Sequence, residues 1–187
     1  MVHTNKYLEL KIKRKQGFTI IEMVIGIAII SVLAAIAIPN LGPTFDRYRL
    51  KDATRDLVSF MQDAKMAALA QNSDQTIRFN DSTSPGFYYW DLDGSTTLSS
   101  GEPSINLDDY GSSIDYGSGS TTSNWDGITI TELVTFTGDQ LSFTDRGMGD
   151  SGTVYLQNQN DDICFAVTVL MTGSIKVREW DGTVWNE

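Results

Sequence analysis

The stretch Gly17-Phe18-Thr19-Ile20-Ile21-Glu22, followed by an almost unbroken apolar run from Met23 to Pro39, decides the reading of this chain. Lys11, Lys13, Arg14 and Lys15 precede it. A bilayer core is about 30 Å thick and takes ~20 apolar helical residues to cross. Residues 18–38 meet that length, with Glu22 as the one ionisable side chain among them. A carboxylate on a lone spanning helix costs roughly 2.5–3.5 kcal/mol at the helix centre, so intramembrane acids mark pairing sites. The alternative is that Glu22 lies near the helix end and reaches the headgroup zone. That alternative leaves the basic residues and the Gly-Phe junction without a purpose.

Three processing schemes fit the segment. A secretory signal is cut after its apolar region, and Ala34, Ala35 and Ala37 imitate such a site. The run is long, however, against the usual 7–15 apolar residues of a signal peptide. A plain anchor is the second scheme, with the basic residues held inside by the positive-inside rule. The third is a cut before the apolar helix, which leaves that helix on the mature protein.

In the third scheme the residues GFTIIEMVIGIAIISVLAAIAIPN resemble the N-terminal motif of type IV pilins and type II secretion pseudopilins. The resemblance implies that a prepilin peptidase cuts between Gly17 and Phe18 and that Phe18 is then N-methylated. It makes Glu22 the fifth residue of the mature chain and Pro39 the helix break. It also implies that Glu22 pairs with the amine freed at Phe18, within one subunit or between neighbours, and such a pair would set the stagger of one subunit against the next. Opposite charges attract strongly in a low dielectric, where either alone is penalised.

The remaining composition describes an exported head without catalytic equipment. The chain has 187 residues and a formal charge of -10. Residues 1–16 carry Lys6, Lys11, Lys13, Arg14 and Lys15 against Glu9, a net +4, so the remainder stands at -14. Such an acidic head repels nucleic acid and anionic membrane surfaces. His3 is the sole histidine and precedes the cut site, which removes histidine triads, bases and metal ligands from the mature chain. Cys164 is the sole cysteine, so no intramolecular disulfide forms. It sits in the apolar run Ile163-Cys164-Phe165-Ala166-Val167 and reads as a buried thiol. The pilin resemblance implies a C-terminal disulfide loop in many major subunits; its absence here favours a minor component or a subfamily without that loop.

Beyond Pro39 the spacing predicts an amphipathic helix over 45–70, with Leu50, Leu57, Met61, Ala64 and Ala68 on one face. Asp52 and Asp56 are expected to pair with Arg55 and Arg49. Gly42 and Pro43 are expected to kink or interrupt the helix. Strands are predicted over 76–79, 87–90, 127–131, 133–137, 141–143, 153–156, 163–170 and 174–180. The last two form a hairpin through Gly173. Residues 94–124 are rich in Gly, Ser and Thr and read as a long loop with at most short strands.

The expected fold is α+β. A long N-terminal helix, membrane-spanning in its first half and amphipathic in its second, packs on a C-terminal antiparallel β head. The expected boundaries are 1–17 for the leader, 18–39 for the membrane or filament-core helix, 40–72 for its continuation and 73–187 for the head. The order of elements, Leu141-Ser142-Phe143 with Gly147, and the closing pair through Gly173 to Arg178 resemble the GspH/FimT branch. That branch holds minor pilins and a minor type II secretion pseudopilin. The aliphatic ending Ala35-Ile36-Ala37-Ile38-Pro39-Asn40 is similar to the pilins. The resemblance implies a non-enzymatic subunit. It would be held in the bacterial inner membrane with a periplasmic head and would assemble with other pilins or pseudopilins.

Two features of the head carry candidate chemistry. In Asp91-Leu92-Asp93-Gly94-Ser95-Thr96-Thr97-Leu98-Ser99-Ser100-Gly101-Glu102, oxygen side chains recur at alternate positions and end on a glutamate. Asp91, Asp93, Ser95 and Glu102 are therefore candidate calcium ligands. Thr96 stands where an EF-hand has glycine, and no flanking helices are predicted; the alternative is a solvated acidic turn. Asp108-Asp109 and Asp161-Asp162 read as solvated turns. The FimT resemblance implies DNA binding in uptake for some members, and Lys176 and Arg178, with Arg146, are the candidate basic footprint for it; three charges in a strongly acidic head are a weak footprint, and the alternative is a solubilising strand face. A tip adhesin is a separate rival function.

Overall fold

The computed structural model describes residues 17–37, 42–111, 114–158 and 160–187. The leader and Pro39 lie outside the described residues. Two compact units divide between Leu41 and Gly42.

The first unit holds one helix, α1 (Ile20–Ala37). Its large apolar side chains are exposed all round, from Ile20 at 84% to Leu33 at 61%. Ser31 is spared as a polar break because its hydroxyl donates to the carbonyl of Ile27 at 2.8 Å. At 1.5 Å per residue the 18 residues of α1 rise about 27 Å. Among the described residues no helix is long and apolar enough to cross a membrane. The sequence expects a span of 18–39; the helix starts later because Thr19 caps it, and residues 38–41 are not described.

The second unit is built on α2 (Gly42–Gln71). Gly42 and Pro43 begin this helix, where the missing proline N–H leaves no bond unmade. Leu50, Leu57, Met61, Ala64 and Ala68 are fully buried, as their spacing predicts, and Ala53 joins them. The helix ends on Asn72 in the left-handed region, with Ser73 N–H donating to the carbonyl of Ala68 at 3.2 Å. Among the expected ion pairs, Arg55–Asp52 forms at 3.7 Å. The Asp56–Arg49 pair does not: Asp56 accepts from the Tyr110 hydroxyl at 2.5 Å, while Arg49 lies 3.5 Å from Asp46.

Two antiparallel sheets complete the head. Strands β1 (Gln75–Asn80), β2 (Phe87–Asp91), β3 (Ser104–Asn106) and β5 (Gln140–Phe143) form one, in the order β3-β2-β1-β5. Strands β4 (Ile114–Tyr116), β6 (Gly152–Asn158), β7 (Cys164–Val169), β8 (Ile175–Trp180) and β9 (Trp185–Asn186) form the other, in the order β4-β6-β7-β8-β9. Ile77 faces Trp90 on one side and Leu141 on the other; Val167 likewise sits between Val154 and Val177. The inward faces of both sheets share one core with the α2 stripe, centred on Leu57, Met61, Tyr88, Phe143, Leu156 and Val167. A smaller core on the second sheet gathers Tyr155, Cys164 and Ala166 under Trp125, Trp180 and Trp185.

The two predicted strands at 127–131 and 133–137 are not regular strands. Residues 122–130 close on themselves, with Asn124 N–H donating to Ile128 and Ile130 N–H to Thr122. Residues 133–135 run beside β6, but β4 already occupies the other end of that edge. The shared edge leaves room only for a bridge, Val134 to Val154.

Candidate functional site

The N-terminal junction is open. Gly17 and Phe18 are both exposed, Phe18 at 87%, and among the described residues no atom crowds Gly17. Thr19 and Glu22 form a reciprocal cap immediately afterwards. The Thr19 hydroxyl oxygen accepts from the Glu22 N–H at 3.2 Å. Glu22 Oε2 accepts in return from the Thr19 N–H at 2.9 Å and from its hydroxyl at 2.8 Å. This is the capping box, two donors at a helix start satisfied by side chains three residues apart. Its signature, Thr-x-x-Glu before an apolar run, is legible in the sequence but absent from the reading above, which gives Glu22 only the amine of Phe18.

The acidic loop brings three of its four candidate ligands together. Carboxylate oxygens of Asp91, Asp93 and Glu102 lie within 4.8 Å of one another. They are already engaged by the chain. Asp91 Oδ2 accepts from Arg78 Nε and its Oδ1 from the Gly94 N–H, both at 2.6 Å. Asp93 Oδ1 accepts from the Ser95 N–H at 2.8 Å. Glu102 accepts from the Leu92 and Ser99 N–H groups, each at 2.8 Å. The Ser95 hydroxyl donates to the Thr97 carbonyl at 2.7 Å. Burial opposes ionisation of Asp91. The hydrogen bonds from Arg78 and Gly94 and the charge of Arg78 outweigh it and hold the carboxyl below its usual range. Arg78, at the centre of β1, is the residue that sequence reasoning overlooks.

The basic candidates are mostly neutralised. Lys176 and Arg178 lie 3.6 Å and 3.0 Å from Glu187. The Arg178 guanidinium also stacks 4.1 Å above the Trp125 ring. Arg146 is exposed in the turn after β5. Cys164 is buried, and burial pushes its thiol up to about 12, which leaves it protonated and unreactive. Asp139 carries a raised pKa, from burial first and then from Asp81 and Glu132, around an open cleft of about 650 Å³.

The C-terminal elements meet each other. Gly147 and Gly173 both have positive φ, and an added Cβ on Gly173 would stand 2.0 Å from the Gly147 carbonyl oxygen. Lys65 of α2 donates to the Gly173 carbonyl at 2.8 Å. These two glycines therefore lock β5, the closing hairpin and α2 together.

Two family models match the chain. The prokaryotic N-terminal methylation motif matches residues 12–38, and the type II transport protein GspH matches residues 53–173. Searches of curated proteins and of solved structures returned no match. The first match covers the open junction, the Thr19–Glu22 cap and the apolar helix. The second runs from the buried face of α2 to Gly173. Residues 53–173 make up more than half of the chain, and the protein belongs to the GspH family, as a type IV pilin-like or pseudopilin subunit carrying the N-terminal methylation motif.

Proposed function

We propose that the protein is a minor, non-enzymatic subunit of a type IV pilus or related filament, priming assembly or standing near its tip. The observation that carries this reading is α1, apolar on every side and, among the described residues of its own unit, without a partner for that surface. Before assembly the inner-membrane lipid covers it, with the head in the periplasm; afterwards the helices of other pilins do. Prepilin peptidase cuts between Gly17 and Phe18, and the amine freed at Phe18 is methylated. Glu22, one helical turn away, then serves that amine and fixes the register of the helix in the bundle. A fully processed protein should start at a methylated Phe18 by intact-mass analysis. Glu22→Ala should be processed yet recovered from sheared filaments at a small fraction of the parental amount; equal recovery removes the registration role.

A second reading, a minor pseudopilin of a type II secretion system, draws its support from the GspH match. Deleting the gene separates the two. Loss of filament assembly with intact protein secretion supports the pilus. Retention of a secretin-dependent protein in the periplasm supports the pseudopilus.

A further inference from the structure

The head carries a projecting apolar loop and an apolar groove on different sheets. The loop covers 92–103, between β2 and β3. It holds two exposed leucines, Leu92 at 59% and Leu98 at 45%. It is tied from within: the Glu102 carboxylate accepts from the N–H of Leu92 and of Ser99, which keeps both leucines on one folded turn. Asp91 is paired with Arg78, but among the described residues Asp93 and Glu102 form no ion pair. The loop thus presents leucine beside uncompensated negative charge. The groove, of about 310 Å³, lies between α2 and the inner face of the second sheet. Val58, Phe165 and Val177 line it, with Thr54, whose hydroxyl is turned away to the Leu50 carbonyl at 2.8 Å. Lys51 and Arg55 border it, both exposed. Arg55 has only exposed Asp52 at 3.7 Å, a weak pair, and among the described residues Lys51 forms none. Neither leucine of the loop lines the groove of its own chain.

We propose that the leucine loop of one copy of this chain enters the groove of a second copy. The leucines then cover Val58, Phe165 and Val177, while Asp93 and Glu102 meet Lys51 and Arg55. Each half supplies what the other lacks: an apolar floor with a cationic border on one copy, an apolar tip with acidic flanks on the other. The cationic border stands out in a chain of formal charge -10, and the overall repulsion between copies acts weakly here. Exposed charges farther apart than about 8 Å are screened at physiological salt, so the close pairs decide. The internal bonds of the loop fix its shape before contact, which lowers the ordering cost of binding. The contact joins unlike patches, so it propagates from copy to copy as an open array or ring. It goes beyond the filament reading and stands without it, because both surfaces belong to the head unit.

Disulfide trapping tests the contact, since Cys164 is the sole cysteine and is buried. Ser100 follows Leu98 on the loop and Ser59 lies on the groove wall, both exposed. Full-length S100C and S59C chains would be mixed in neutral-detergent micelles with oxidised glutathione as the oxidant. Their mixed disulfide is expected at about tenfold the yield of S100C with S151C, the effective concentration being raised only where the surfaces meet. Ser151 is exposed and does not line the groove. L98S in the S100C chain should remove the excess, a loss of about tenfold or more for a leucine buried on association. K51E in the S59C chain should lower it about threefold, as for an exposed ion pair. A yield no higher than that with S151C overturns the proposal, as does an excess that survives L98S. An excess of the S59C homodimer sets groove against groove and also overturns it. Equal filament recovery from Glu22→Ala bears on the filament reading and leaves these outcomes unchanged.

Discussion

Gly173→Ala tests whether the two C-terminal glycines lock the head. Gly173 has φ +71, a region that costs an L-residue with a Cβ about 1–2 kcal/mol. The added Cβ would also stand 2.0 Å from the Gly147 carbonyl oxygen, a backbone atom that cannot rotate away. Relieving it means shifting the turn after β5 or the β7–β8 hairpin, an overpacking cost of about 1–3 kcal/mol. The total is about 2–5 kcal/mol. For a chain of this size each kcal/mol lowers Tm by about 2–4 °C, giving a loss of roughly 4–20 °C. Gly138→Ala is the control, because Gly138 has φ +69 with nothing within 4 Å of the added Cβ. It carries the conformational cost alone. Thermal unfolding of both variants in the full chain, followed by circular dichroism, isolates the contact as their difference. Equal losses would refute the lock, since the Gly147 contact would then contribute nothing.

Three further outcomes follow from single contacts. Tyr88 is fully buried and, among the described residues, its hydroxyl makes no hydrogen bond of ordinary geometry although the Tyr110 phenol is its polar neighbour, so Tyr88→Phe removes a penalty of about 1–3 kcal/mol while retaining the edge-on ring contact with Phe60. Tm should rise by a few degrees, and a fall would show that the hydroxyl is satisfied. Arg78→Gln leaves the Asp91 carboxylate, 1% exposed, without its cation, and should cost about 3–5 kcal/mol at pH 7 by chemical denaturation. The folded pKa of Asp91 lies below its unfolded value of about 3.9. The pair's stability is therefore complete above that value and is lost as pH falls through the folded pKa. The deficit of Arg78→Gln should accordingly narrow in acid, and a constant deficit from pH 7 to 2 would break the link. Millimolar calcium should leave the Tm unchanged, because the carboxylates of Asp91, Asp93 and Glu102 already accept internal donors; a saturable rise would make the loop a metal site.

The helices and the closing strands were legible because period and burial coincide there. Leu50, Leu57, Met61, Ala64 and Ala68 repeat at helical spacing, and every one is buried. Ile77 and Phe79 alternate with Thr76 and Arg78, and the buried pair faces the core. The segment at 127–131 has the same alternation and failed, because alternation states a preference and a strand needs a free neighbouring edge. It folds back instead on residues 122–124, which offer only a bridge, Ser123 to Thr129. Trp185 and Asn186 were missed for the converse reason: β9 is two residues long and exists only because β8 offers it a partner.

The site residues divide along the same line between local and long-range information. The Thr19–Glu22 cap spans three residues and could be read from four letters of sequence. The fate of the acidic loop could not. Its spacing counts oxygens and is blind to Arg78, which lies 13 residues before Asp91 and is brought beside it by the β1–β2 register, in which Arg78 faces Tyr89. The neutralisation of Lys176 and Arg178 is likewise set by where β9 returns Glu187. A charge count gives the net charge of the head. It does not say which charges remain available, because that depends on strand pairing that joins residues far apart in the chain.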